Sequence, residues 1–225
     1  MRRSAVEDCL RILNHFGTDP SKGEAIDVGG APRVHLDTGF APNPLLSLNP
    51  GTVCLDQGFA SGLAGAPAQE SVDFLDGNAI AHLRERFDRV YCFDTLEHSA
   101  NPFAFCEHLL AITRPGGCIY VSTVFSWAYH PSPEDHFRFS PSGLRLTLES
   151  PLNHLRETFR VLWAGWESDP HGVALFGQKA GGRDLAIPPP FTSPRELSPS
   201  HFNVLAGLER SGFWKRASRL RQGAP

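Results

Sequence analysis

A chain of 225 residues, 41% of them hydrophobic, with a formal net charge of −3, has material for one large domain or one domain with an appendage. That charge balance gives no broad basic field, so a general nucleic-acid binder is excluded and no nucleic-acid partner is expected. No apolar run is long enough to span a bilayer, Met1-Arg-Arg is followed by the charged Glu7 and Asp8 rather than a signal core, and five cysteines without C-x-x-C spacing imply no disulfide framework. A cytoplasmic protein is the expectation.

Val6 to Phe16 places Val6, Leu10, Leu13 and Phe16 at helical spacing and reads as a short amphipathic helix. Gly17 to Pro32 is glycine-rich, with a brief apolar run at Ala25-Ile-Asp-Val28. Three strand candidates follow: Arg33 to Asp37, Thr52 to Asp56 and Ser71 to Asp76, each apolar, each ending on an aspartate. The first two are alike (VHLDTGF and VCLDQGF) and read as successive strands of one sheet; no third copy makes a solenoid.

Phe87 to Val124 is the most informative stretch. Phe87 to Phe93 is a strand candidate ending at Asp94; Phe103, Phe105, Cys106, Leu109, Leu110 and Ile112 recur at roughly helical spacing. Pro115-Gly-Gly117 stops that helix, and Cys118 to Val124 is a second strand, apolar enough for burial on both faces. Strand, helix, turn and strand make a βαβ unit of a parallel sheet, whose ligands lie beyond the carboxyl ends of its strands. Asp94 to His98 and Ser122 to His130 are therefore at the functional edge. Trp127 to Phe139 is an aromatic, proline-broken loop; Pro141 to Ser150 is helical with Ser140 as N-cap. Thr158 to Ala164 and Gly172 to Gly177 form an antiparallel pair closing the sheet. Residues 180 to 200 read as a Pro-, Gly- and Ser-rich linker, and a helix over about His201 to Leu220 ends in Lys215, Arg216, Arg219 and Arg221.

This order, with FDRVYCFDTLEH, RPGG and HPSPEDHFRFSPSGLR, resembles the class I S-adenosylmethionine-dependent methyltransferases, the small type 11 and type 12 enzymes above all. The resemblance covers about Arg33 to Lys179. It implies an α/β fold: a Rossmann-like, seven-stranded, mostly parallel sheet with an antiparallel last strand and helices on both faces. Residues 1–180 would form the methyltransferase domain, and 181–225 a linker and helical arm through which a homodimer could form.

The family's first strand ends on an acid before a glycine-rich turn. Leu36-Asp-Thr-Gly-Phe-Ala-Pro-Asn-Pro44 is the preferred match, with Ala41 where a second glycine is usual; Ile26-Asp-Val-Gly-Gly30 and Leu55-Asp-Gln-Gly-Phe59 are rivals. The preferred placement puts Asp37, Thr38 and Gly39 at the cofactor's amine and Asp56, with Gln57 beside it, on its ribose. Gly77, Asn78 and Ala79 stand where the family has G-D-A, so Asn78 would read adenine; Phe93 and Asp94 would flank the methionine and adenine parts. Asp94 as a helix N-terminal acid, and Gly77-Asn78 as a plain turn, are the structural alternatives. The implied activity is methyl transfer to oxygen or nitrogen of a small-molecule acceptor, with His98, His130 and His136 as candidate bases. No established metal motif is matched and none is expected. The competing reading is a degenerate methyltransferase fold acting as a binding scaffold. A nicotinamide-dependent dehydrogenase lacks its G-x-G-x-x-G turn.

Overall fold

Alternation along two adjacent strands divides the core. In β6 (Phe87–Phe93) Val90 and Cys92 join one apolar cluster while Tyr91 and Phe93 join another, and in β7 (Thr113–Val124) Ile119 and Val121 oppose Cys118 and Tyr120 in the same way. A two-residue period thus makes both faces of the sheet apolar, and each needs a helical cover. Helices α3 (Pro102–Ile112) and α4 (Pro141–Glu149) cover the first face through Phe105, Leu109, Leu110, Leu144 and Leu148; α1 (Arg3–His15) covers the second through Ala5, Val6, Cys9, Ile12 and Leu13. Each fully buried leucine among them contributes about 1.5–3 kcal/mol. The computed structural model describes residues 1–36, 39–56, 69–131, 134–150, 152–169 and 171–186.

The remaining elements are β1 (Ala25–Val28), β2 (Arg33–Leu36), β3 (Gly39–Pro42), α2 (Pro44–Leu48), β4 (Val53–Asp56), β5 (Gln69–Ser71), β8 (Phe159–Trp166) and β9 (Gly172–Lys179). The main sheet runs in the order β5-β4-β1-β6-β7-β9-β8. Strands β5, β4, β1, β6 and β7 are mutually parallel, and β9 lies antiparallel between β7 and β8. This is a mostly parallel, Rossmann-like α/β sheet with an antiparallel end.

Three expectations change. Arg33 to Asp37 is not a strand of the main sheet: β2 pairs with β3 in a separate antiparallel hairpin, Val34 opposite Ala41. The strand that pairs with both β4 and β6 is the brief run Ala25–Val28, all four residues buried. The third candidate also shifts, since β5 ends at Ser71 and Asp73 to Asp76 form a turn. Pro115-Gly116-Gly117 does not end the helix: α3 already stops at Ile112, and β7 starts at Thr113, runs through Gly116 at φ +80° and meets β6 with a register shift. Ser140 caps α4, its hydroxyl accepting from the Gly143 N–H at 3.1 Å.

All five cysteines are free and buried. No helix among the described residues is long and apolar enough to cross a membrane. The chain divides into a unit from Met1 to Ser193 and a second from Pro194 to Pro225. The expected C-terminal helix and its dimer contact lie outside the described residues.

Candidate active site

A cavity of about 790 Å³ opens beyond the carboxyl ends of β1, β4, β6 and β7. Its wall includes Val28 at the end of β1 and Gly29 after it, Leu55 and Asp56 at the end of β4, Val72 to Leu75 after β5, and Asp94 to Ala100 after β6, Leu96 excepted. Trp127, His130 and Pro131 come from the loop after β7.

The turn after β1 is built on close contact. Gly29 has φ +81°, and its N–H donates to the Leu55 carbonyl at 2.7 Å, tying the turn to β4. A Cβ on Gly29 would sit 2.1 Å from Thr95 Oγ1, and one on Gly30 would sit 1.8 Å from Asp27 Oδ2. Only glycine meets the first demand on both backbone and space. Beneath the turn Asp27 is fully buried; Asn43 Nδ2 donates to its Oδ2 at 2.7 Å while its Oδ1 has no partner. Burial pushes the Asp27 carboxyl up to about 7, the Asn43 hydrogen bond opposing. Asn43 also caps α2, its Oδ1 accepting from the Leu45 N–H at 3.0 Å, so one side chain joins the acid of β1 to the next helix.

The residues expected to bind cofactor therefore divide. Asp56 ends the strand next to β1, half-buried on the cavity wall. Asp37, Thr38 and Gln57 lie outside the described residues. Gly39 sits on the β2–β3 hairpin and not at the mouth of β1, which corrects the placement of the glycine turn in favour of Ile26-Asp-Val-Gly-Gly30. Gly77, Asn78 and Ala79 form a turn off the cavity wall, where Asp76 Oδ1 accepts from the Asn78 N–H at 2.9 Å; Val72, Asp73, Phe74 and Leu75 line the wall instead. Phe93 points into the core under α1, against Tyr120. Asp94 lines the cavity, but it is already engaged. At φ +46° it accepts from Arg2 backbone N–H (2.9 Å), Nε (3.0 Å) and Nη2 (2.7 Å), while Arg2 Nη1 pairs with buried Glu167 at 2.7 Å. Sequence spacing carries no trace of a pairing between residues 2, 94 and 167.

Two of the three histidines converge. A 3-10 turn at Leu96–His98 puts Glu97 wholly inside the protein, with Thr123 Oγ1 donating to its Oε2 at 2.7 Å. Its other oxygen, Oε1, has no hydrogen-bond partner and lies 3.9 Å from both His98 Nε2 and His130 Nε2. Burial, then Asp94, raises the Glu97 carboxyl above its ordinary value. His130 Nδ1 is 3.0 Å from the Ala128 carbonyl and 3.2 Å from Asp135 Oδ2; His98 Nδ1 bonds the Glu134 carbonyl. Arg138 pairs with Asp135 and holds its carboxyl well below the usual range. His136 is exposed and reaches this group only by its backbone N–H, which donates to the Glu97 carbonyl at 2.8 Å. Glu97, the residue on which the arrangement turns, was legible only as the middle of Leu-Glu-His.

Solved structures share this fold. One is the Burkholderia thailandensis 1,6-didemethyltoxoflavin-N1-methyltransferase, solved with 1,6-didemethyltoxoflavin and S-adenosylhomocysteine: TM-score 0.56, 15% identity, 80% of this chain and 79% of that one. This is the class I methyltransferase fold. The cyclase SpnF matches as well, with TM-score 0.56, 12% identity, and 80% and 81% of the two chains. By sequence, the mitochondrial ubiquinone biosynthesis O-methyltransferase of Arabidopsis thaliana is 26% identical over 121 residues. That alignment spans 50% of this chain and 38% of the relative. No family model matches the chain.

Proposed function

We propose that this methyltransferase-fold protein transfers the methyl group of S-adenosylmethionine to an oxygen or nitrogen of a small molecule, with sugars and natural-product intermediates as the acceptor class. The observation that carries the reading is the Gly29 turn, closed against Thr95 and Leu55, with Asp56 beside it on one cavity of about 790 Å³. The residues present fit the cofactor. Gly29 lets backbone and ligand approach without a side chain between them. The Asp56 carboxylate can accept from both hydroxyls of a ribose. Asp73 and Phe74 take the adenine role first given to Asn78: a carboxylate for the amino group, an apolar face for the ring.

Held by the Gly29 turn and Asp56, S-adenosylmethionine would supply an electrophilic methyl carbon with a neutral thioether as the leaving group. The protein's part is to hold the acceptor in line and to manage the proton an O–H or N–H acceptor loses. Trp127 and Val124 offer an apolar wall, and Glu97, His98 and His130 the polar group for that proton. Five buried free cysteines suit a reducing cytosol, where we place the reaction.

The scaffold reading has one observation in its favour: Asp94 is occupied by Arg2. Calorimetric titration with S-adenosylmethionine and S-adenosylhomocysteine separates the two. The methyltransferase reading expects both to bind, and Asp56→Ala to weaken them at least about 10-fold, a loss of ~1.4 kcal/mol or more. Absence of binding to folded wild-type protein leaves the scaffold.

A further inference from the structure

We propose that Glu97, His98 and His130 form a binding site for one divalent transition-metal cation, held by Glu97 Oε1 and the Nε2 atoms of both histidines and open on its remaining side to the acceptor's oxygen. That last part, the acceptor oxygen, rests on the reading above; the cation does not.

Tautomers decide the matter. A backbone carbonyl can only accept, so His98 Nδ1 must carry the proton it shares with the Glu134 carbonyl, and His130 Nδ1 the one it directs at the Ala128 carbonyl. In each neutral ring Nε2 is then a bare lone pair. Both lone pairs face Glu97 Oε1, itself without a donor and fully buried. Glu97 Oε1 and the two Nε2 atoms lie within 4.8 Å of one another, close enough to share one cation at their centre. At 3.9 Å neither imidazole is hydrogen-bonded to Oε1, which leaves room between them for a ligand. A tetrahedral ion with bonds of ~2.1 Å sets its ligands about 3.4 Å apart, so the 3.9 Å Glu97–histidine gaps and the spread of up to 4.8 Å would have to draw in around it.

The surroundings are those of a metal site. Each ligand is oriented by a second partner: Thr123 on the free carboxylate oxygen, Glu134 carbonyl on His98, Ala128 carbonyl and Asp135 on His130. Asp135 is fixed in turn by Arg138 and by the His130 N–H at 2.9 Å. Two imidazoles and one carboxylate suit zinc, iron, cobalt or manganese better than magnesium or calcium, which prefer all-oxygen shells. All three ligands line the cavity that also holds Gly29 and Asp56, so the open coordination side looks into it. There a cation would lower the pKa of a bound acceptor hydroxyl, as it does for bound water.

The test uses the full chain, stripped with a chelator and dialysed. Zn2+ is titrated by calorimetry and Co2+ by its visible absorption, for wild type, Glu97→Gln, His98→Ala and His130→Ala, with S-adenosylhomocysteine binding and circular dichroism on the same samples. One equivalent with Kd at or below about 1 µM is expected. Each substitution should weaken it at least about 100-fold, the upper end of what losing a supporting hydrogen bond costs a metal site. No stoichiometric binding by wild type, or binding indifferent to all three substitutions, overturns the inference. His130 is partly exposed, so His130→Ala keeps the test sound even if Glu97→Gln fails to fold. Cation binding without S-adenosylhomocysteine binding upholds the metal site and sinks the cofactor reading. The reverse result sinks the metal site alone.

Discussion

Past the carboxyl ends of β6 and β7 two polar groups adjoin, and they are built on different plans. Around Arg2 every strong charge is answered: three N–H groups reach Asp94, Nη1 pairs with Glu167, and Ser122 Oγ donates to Glu167 at 2.5 Å. Around Glu97 one oxygen is held by Thr123 and the other faces two imidazoles at a distance that satisfies none of them. A closed network contributes position and stability, holding α1 against the sheet edge. An open one is left for a ligand. Charge pairs at 2.7 Å in one group against gaps of 3.9 Å in the other separate scaffold from chemistry within a few residues.

The largest effect should come from opening the closed group. Arg2→Ala leaves Asp94 and Glu167 buried without their cation, and a loss of about 3–5 kcal/mol is expected in urea denaturation at neutral pH. A loss below ~1 kcal/mol would mean that the pairing is incidental.

Asp27 gives a comparable effect, spread over pH. Its folded value of about 7 lies above the ordinary 3.8, so the folded protein binds the extra proton between those values. Stability contributed by this group is therefore greatest below about pH 4 and is lost as pH rises through 7, on the order of 4 kcal/mol at ~1.4 kcal/mol per unit. Asp27→Asn, which keeps an acceptor for Asn43, should flatten that slope in denaturation curves taken from pH 4 to 8; an unchanged slope would place the ionisation elsewhere.

Gly29→Ala comes next, with about 1–3 kcal/mol from the left-handed backbone and a Cβ driven against Thr95. Thermal melts should show the loss, and calorimetry should show S-adenosylhomocysteine binding fall with it. The smallest change in stability belongs to the open group: His130→Ala should move the unfolding free energy by less than ~1 kcal/mol, because no tight network is broken. Its methyl transfer should nonetheless fall by more than about 100-fold. Equal losses of stability in Arg2→Ala and His130→Ala would erase the distinction between the two groups.

Much of the scaffold was legible because local pattern and tertiary role agree. Phe87 to Phe93, the helix after it, the capped helix from Pro141 and the antiparallel pair β8–β9 each announce themselves by apolar spacing and punctuation. The first strand did not, because Ala25–Val28 has only four residues, whereas Arg33 to Asp37 has the same β-forming character and a more conspicuous Asp-Thr-Gly. What separates them is pairing: one lies between β4 and β6, the other folds back on Gly39–Pro42, and that is settled by contacts distant in sequence. Asp56 keeps its place at a strand end on the cavity wall under either placement of the first strand. Of the three histidines taken as candidate bases, His98 and His130 lie on the cavity wall, while His136, chosen with His130 for flanking Glu134 and Asp135, does not. Glu97 was passed over because an acid beside a predicted helix start looks like a cap.

The most direct measurement is a crystal structure of the protein grown with S-adenosylhomocysteine. The account predicts the ligand over the Gly29 turn, its ribose hydroxyls on the Asp56 carboxylate and its adenine between Asp73 and Phe74, with sulfur toward the Glu97–His98–His130 group. Ligand bound elsewhere, or a ribose that leaves Asp56 untouched, would contradict it.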